Sequence, residues 1–212
     1  MQALQSELES GVEQLGLNLT EGQINKLMSY LAMLQKWNRV YNLTAIRDPQ
    51  EMLIKHLLDS LAVVPHVSGE RVIDVGTGGG LPGIPLAICF PEKCIDLLDS
   101  NSKKTRFLIQ VKAELGLFNS HVIHSRVENY QPENLYDGVI SRAFAAMDDM
   151  LHWTHHLIPE GGYWWAMKAQ KEFEDLSQLS ENVHIEDVIE LTVPFLGAER
   201  MLVKGSKIKL KA

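Results

Sequence analysis

Ile24, Leu27, Met28, Leu31 and Leu34 recur at the three- and four-residue spacing of a single buried helix face. Thr20 and Gln23 precede that run as N-cap and N3 of a capping box, so a helix is predicted to run to residues 37–40. A second start signal follows: Asp48 suits the N-cap, Pro49 suits N1 and Glu51 suits N3. Beyond it Met52, Leu53, His56, Leu57, Ser60 and Leu61 share one side of a helix. Residues 1–65 are therefore expected to form a helical N-terminal region.

After Pro65 the period changes. Short apolar runs at 71–75, 94–98, 121–123, 138–141 and 162–167 read as strands. The stretches between them, at 82–90, 103–115, 147–157 and 171–179, read as helices. This alternation predicts an α/β fold with a parallel sheet over 66–212. Residues 183–193 and 199–209 are both strand-like, and the short link 194–198 leaves no room for a helical crossover. That last pair should be antiparallel. The expected architecture is a Rossmann-like three-layer sandwich with an antiparallel C-terminal hairpin. Trp164 and Trp165, as neighbours on one strand, should face opposite sides.

Apolar residues make up 45% of the 212 and charged residues 22%, which excludes a disordered or collagen-like chain. The N-terminal MQALQSELESGVEQ lacks the basic and apolar segments of a signal peptide. The longest nearly apolar stretch, 81–90, is half of the roughly 20 residues a membrane span needs. A cytoplasmic protein is expected, with Cys89 and Cys94 packed in the core rather than bridged. The net charge of −7 argues against a nucleic-acid partner, but its distribution does not. Residues 26–55 carry five bases against two acids, and 103–112 carry four bases and no acid. Residues 172–199 carry eight acids and no base. Basic patches on an acidic body are consistent with this segregation.

The most informative stretch is DVGTGGGLPGIPLAI, which follows the first strand and opens a helix. Gly78, Gly80 and Gly83 fit the dinucleotide pattern G-x-G-x-x-G. Asp74, Gly76, Gly78 and Gly80 fit the acidic-x-G-x-G-x-G pattern of methyltransferases that use S-adenosylmethionine. Asp74 favours the second, because a carboxylate there repels a pyrophosphate and suits a cationic methionine moiety, either directly or through an ordered water. Pro82 removes one N–H that a phosphate could use. Asp99 ends the second strand 23 residues beyond Gly76, the place of an acid that accepts hydrogen bonds from ribose hydroxyls. Asp96 points to the other face.

Taken in order, DVGTGGGLPGIPL, LLDSNSKKTRFL, SRVENY and YDGVISRAFA, preceded by YNLTAI and KHLLDSL, resemble the RsmG family, also called glucose-inhibited division protein B. Gly79 stands where some members carry Pro or Ala. The resemblance covers almost the whole chain. It implies a class I methyltransferase fold of seven strands with a helical extension. It implies methyl transfer from S-adenosylmethionine to N7 of guanosine 527 in 16S rRNA of the small ribosomal subunit. Carried over by motif, Gly76 and Leu81 contact the cofactor, Asp99 holds its ribose, and Val127 and Glu128 border the adenine. Arg142 lines the methionine end.

On this reading no general base and no metal is needed, because guanine N7 carries an exposed lone pair. Arg142 and Lys168 are the candidates for positioning the guanine edge. A plainer role for Arg142 is an ion pair with Asp137. RNA contact is expected from Lys36, Arg39, Asn42, Arg47 and Lys55 and from Lys103, Lys104 and Arg106. Trp37, Tyr41 and Phe144 suit either base stacking or the core, and Asn42 and Thr44 either RNA or turn hydrogen bonds. His152, His155 and His156 have metal-capable spacing but no completing ligand. His56, Asp59 and Ser60 are too close on one helix for a catalytic triad. The alternatives are a nucleotide-dependent oxidoreductase, a non-catalytic RNA-binding module and a small-molecule methyltransferase. Nothing demands a dimer, and a monomer is expected.

Overall fold

The computed structural model describes residues 2–144, 146–169, 179 and 182–209. Helices α1 (Gln2–Gln14) and α2 (Glu21–Tyr41) come first. The capping box forms as expected: Gln23 N–H donates to Thr20 Oγ1 at 3.2 Å, and Thr20 N–H donates to Gln23 Oε1 at 2.9 Å. The amide of Gln23 goes further, donating to the carbonyls of Ile88 and Cys89 and tying the start of α2 to the sheet region. Asp48 caps α3 (Pro49–Met52) through Glu51 N–H at 2.9 Å. The regular helix predicted there is instead interrupted by a π-helical segment, Leu53–Leu58, before α4 (Asp59–Leu61). Wide turns of this kind concentrate where side chains must be re-aimed.

The sheet has seven strands: β1 (Arg71–Val75), β2 (Cys94–Asp99), β3 (Val122–His124), β4 (Gly138–Ser141), β5 (Tyr163–Ala169), β6 (Val183–Leu191) and β7 (Arg200–Lys207). Their order is β3-β2-β1-β4-β5-β7-β6, parallel through β5. β7 runs antiparallel between β5 and β6, so the C-terminal hairpin forms the edge as predicted. Helices α5 (Gly83–Cys89), α6 (Ser102–Leu115) and α7 (Met147–Thr154) lie between strands at the expected places. The predicted helix at 147–157 ends as a 3-10 turn, His155–Leu157. The predicted helix at 171–179 lies, apart from Leu179, outside the described residues. Among the described residues no helix is long and apolar enough to cross a membrane.

Each sheet face has its own core. Trp165 packs with the larger cluster, which joins Leu8, Leu27, Leu31 and Leu57 to Ile84, Leu97 and Phe107. Trp164 faces the opposite cluster with Met150 and Tyr136, and its Nε1 donates to Thr154 Oγ1 at 2.8 Å. The opposed tryptophans follow from strand alternation. The larger core runs unbroken from the N-terminal helices into the sheet layer.

The reversal of strand order at β1 opens a crevice between the carboxyl ends of β1, β2 and β4, the usual ligand position in such sheets. Gly138 starts β4 directly against Trp165, and a Cβ there would overlap the indole ring. Gly138→Ala is expected to destabilise the protein by about 2–3 kcal/mol, as overpacking of a rigid core does. Urea unfolding measures this, and an unchanged midpoint would contradict the packing described.

Candidate active site

The glycine loop leaves β1 at Val75. Gly76 has φ +70°, and a Cβ on it would stand 2.6 Å from Ala143 Cβ. Only glycine lets the chain turn there while passing the end of β4. The N–H groups of Gly76 and Thr77 both donate to Leu98 O, at 2.9 and 3.1 Å, which pins the loop to β2.

Asp74 lies beneath the loop rather than open to the crevice, with its side chain fully buried. Oδ2 accepts from Thr77 Oγ1 at 2.6 Å and from Gly83 N–H at 2.8 Å. Oδ1 is buried with no protein partner. Burial pushes the carboxyl up to about 6, against the two hydrogen bonds that pull it down. The N–H of Gly83 is thus spent on Asp74, and Pro82 has none, so the start of α5 offers little to a pyrophosphate. Gly80 also lies inward. With φ +96° it is buried, and a Cβ would lie 2.5 Å from Ile84 Cγ1 and 2.8 Å from Leu108 Cδ2. It shapes the loop against α6 rather than lining the groove.

Three adjoining cavities follow the crevice. The first, about 330 Å³, lies between Gly76, Asp99, residues 125–128 and Phe144. The second, about 200 Å³, lies under residues 76–79 with Leu81, Thr44, His56 and Arg142. The third, about 310 Å³, is walled by Lys55, His56, Asp59, Arg142, Lys168 and Arg200. Gly76 and Ala143 border the first two, and His56 and Arg142 border the last two, so the three form one groove.

The structure brings most of the remaining expected residues to this groove. Asp99 ends β2, with Oδ2 accepting from Gly78 N–H at 2.9 Å and Oδ1 from Asn101 N–H at 2.8 Å. Lys104 Nζ stands 3.8 Å from Oδ2. Val127 and Glu128 occupy a 3-10 turn across the first cavity from Asp99. Leu81 lines the second. Lys168 is buried, and its Nζ donates to Phe144 O at 2.9 Å. Arg142 does not pair with Asp137, which accepts from the N–H groups of Glu70 and Arg71. Its Nη1 donates to Asp59 Oδ2 at 3.1 Å and to Lys55 O at 3.2 Å.

Sequence reading missed Asp59 and Arg200 as site residues. Asp59 Oδ1 accepts from Arg200 Nε at 3.0 Å, across 141 residues of chain. No local pattern announces such a pair. Asp59 therefore faces two arginines, and His56 is held separately. The His56 ring Nε2 lies 2.8 Å from Thr44 Oγ1, and Nδ1 lies 3.1 Å from Lys55 O. With Nδ1 as donor to the carbonyl, Nε2 accepts from the threonine. Burial first, and Arg142 second, push the imidazole down to about 4, so it is neutral at physiological pH. Thr44 also accepts from Ile46 N–H, which gives it the turn role.

Lys36, Arg39, Arg47, Lys103 and Arg106 are exposed, and Lys104 is half-buried beside Asp99. Trp37 packs on Phe107 at 5.5 Å between ring centroids, so the end of α2 and the start of α6 flank one seam. Lys36 and Arg39 lie on that end of α2, and Lys103, Lys104 and Arg106 on that start of α6. Trp37 also packs on Tyr41 at 5.1 Å, and it belongs to the core margin while Tyr41 is exposed. Asn42 is the left-handed C-cap of α2, and its Oδ1 accepts from Arg47 Nη2 at 2.8 Å.

The histidines of the 147–157 stretch do not converge: His155 bonds to His152 O and His156 to Tyr130 O. Among the described residues one trio has metal-ligand proximity, namely Cys94, Asp96 and His121. Cross-strand pairing of β2 with the residue before β3 makes it, which no local spacing reveals. There Asp96 Oδ1 accepts from the His121 ring and backbone, and Oδ2 accepts from Tyr136. Burial and Asp96 push the Cys94 thiol up to about 11. The trio is a hydrogen-bonded cluster with a neutral thiol.

Residues 23–203 match the family model for GidB, rRNA small subunit methyltransferase G. A ribosomal RNA small subunit methyltransferase G of Hydrogenovibrio crunogenus is 62% identical over 200 residues, covering 94% of this chain and 93% of that one. The protein of the same name from Pseudomonas syringae is 52% identical, covering 93% of each. The fold resembles a SAM-dependent methyltransferase from Aquifex aeolicus, with TM-score 0.60, 19% identity and coverage of 79% and 97%. It also resembles coclaurine N-methyltransferase, with TM-score 0.53, 12% identity and coverage of 90% and 74%.

The buried neutral His56 generates a pH test. Folded, the ring takes its proton only near pH 4; unfolded, it does so near 6.5. Between those values the unfolded chain binds more protons, so stability is lost as pH falls. From pH 7 to pH 4 the wild type should lose about 2–3 kcal/mol more than His56→Gln. Parallel denaturation curves across that range check the difference, and coincident pH profiles would contradict a neutral ring.

Proposed function

The chain belongs to the rRNA small subunit methyltransferase G family, and on that premise we propose that it methylates N7 of guanosine 527 in 16S rRNA, with S-adenosylmethionine as donor. The observation that carries this reading is the single groove. It joins an acid-bearing cavity, through a bare glycine backbone, to a cavity walled by cations. The residues present fit the donor. Gly76 offers an exposed backbone where any side chain would fill the space beside Ala143. Asp99 is an acceptor-only carboxylate, matched to a ribose diol that donates.

In this assignment Asp99 holds the ribose, Val127 and Glu128 border the adenine, and Gly76, Gly78 and Leu81 line the way to the methionine end. Asp74 and Gly80 act one layer below by fixing the loop. When bound, S-adenosylmethionine supplies an electrophilic methyl group. Arg142 and Lys168 donate toward O6 of the guanine and leave the N7 lone pair clear. N7 carries no proton to remove, and the neutral, hydrogen-bonded His56 is not asked to act as a base. The residues accelerate transfer by orientation and by fixed charge.

The exposed bases Lys36, Arg39, Arg47, Lys103 and Arg106 meet the phosphates of the RNA, with Lys104 beside the ribose acid and Asn42 steadying Arg47. Such a substrate places the protein in the cytoplasm.

Incubation with methyl-labelled donor and small subunits lacking the modification should put label in 7-methylguanosine. Label in another nucleoside, or in none, would refute the assignment. Arg142→Ala should lower transfer at least about tenfold, the scale of one lost base-edge contact. Asp99→Ala should weaken donor binding by a similar factor, measured by calorimetry.

A further inference from the structure

The third cavity is assembled from distant parts of the chain. Lys55 and Asp59 come from the helical region, Arg142 and Lys168 from the ends of β4 and β5, and Arg200 from the first position of β7. Only one of these five is acidic. The Asp59 side chain is 3% exposed, whereas those of Arg142 and Arg200 are 30% and 25% exposed. Its two oxygens are divided between them, Oδ2 to Arg142 at 3.1 Å and Oδ1 to Arg200 at 3.0 Å. A second anchor fixes each guanidinium: Arg142 Nη1 donates to Lys55 O, and Arg200 Nη1 donates to Glu199 O.

A guanidinium is a rigid planar fork, so fixing one edge also fixes where the other edge points. Two arginines left without the carboxylate would repel each other and swing apart. His56 beside them is neutral and adds no charge. The wall is therefore rich in donors, and its side-chain acceptors, Asp59 and His56 Nε2, are already engaged. A guanine edge matches such a wall through O6, which accepts while N7 stays clear for the methyl group, whereas adenine would turn its N6 donor against it. Asp59 also offsets part of the cationic charge, which matters because a guanine methylated at N7 carries a positive charge.

Resting on the reading of this cavity as the target-base pocket, we propose that Arg200 is a second guanidinium that contacts the RNA substrate. Asp59 is the positioning residue that aims Arg200 and Arg142 together. Its action is indirect, through the two arginines.

The full-length chain with unmodified small subunits tests this. Arg200→Gln should leave binding of S-adenosylhomocysteine within about twofold and lower kcat/KM for subunits at least about tenfold. Asp59→Asn should lower kcat/KM at least as far, and Asp59→Glu should recover part of the loss. Asp59→Asn with Arg200→Gln should be no worse than Asp59→Asn alone, because an unaimed Arg200 is already lost to the substrate. Wild-type kcat/KM in Arg200→Gln, or losses that multiply in the double variant, would overturn the proposal. If Asp59→Asn does not fold, the part-exposed Arg200 decides by itself, through Arg200→Gln and Arg200→Lys. If the wild type transfers no methyl group to subunits, the functional reading fails. Co-sedimentation of Arg200→Gln with subunits then judges the contact: weaker binding than wild type supports it, and equal binding overturns it.

Discussion

The carboxylate of Asp74 is the contact on which the geometry of the groove depends. It sits at the end of a central strand, fully out of solvent, and binds the hydroxyl of Thr77 and the N–H of Gly83 on either side of the glycine turn. A buried acid is costly unless it is hydrogen-bonded. Here those hydrogen bonds are also what closes the loop. Closed in this way, the loop presents Gly78 N–H to Asp99 on the neighbouring strand. Two acids on adjacent strands thus share one turn of backbone, the first from beneath and the second from the groove.

The rest of the groove follows from how the chain ends meet. The helical region shares one continuous core with the sheet layer, so its side chains reach the third cavity from a fixed wall. Placing β7 between β5 and β6 brings Arg200 beside the same opening. A hairpin in which β6 paired with β5 would leave Arg200 on the outer edge of the sheet. Topology at one end of the chain therefore decides the charge of a cavity begun at the other.

What was legible in the sequence was whatever is encoded locally. Thr20 with Gln23, and Asp48 with Glu51, announce helix starts because capping bonds span only three residues. Strand positions were readable from short apolar runs, and Asp99 from its distance past the glycines. The fate of Asp74 and Gly80 was not readable, since a motif fixes residue types and leaves open which atoms face the ligand. Nor was Asp59, whose partners arrive from 83 and 141 residues away. The π-helical segment was invisible for a different reason. The apolar spacing of residues 52–61 suits an ordinary helix, and no local signal marks the wider turn at Leu53–Leu58.

That segment carries a further consequence. A π turn holds one residue more than an α turn, and each residue in a helix advances the side-chain direction by about 100°. Leu53–Leu58 acts as a register shift placed just before Asp59. Relaxation to a regular helix would turn Asp59 relative to Leu53 and swing its carboxylate away from both arginines. In length terms, the chain between Pro49 and Asp59 sets where the carboxylate points, so a one-residue insertion or deletion there moves the charge together with the apolar contacts.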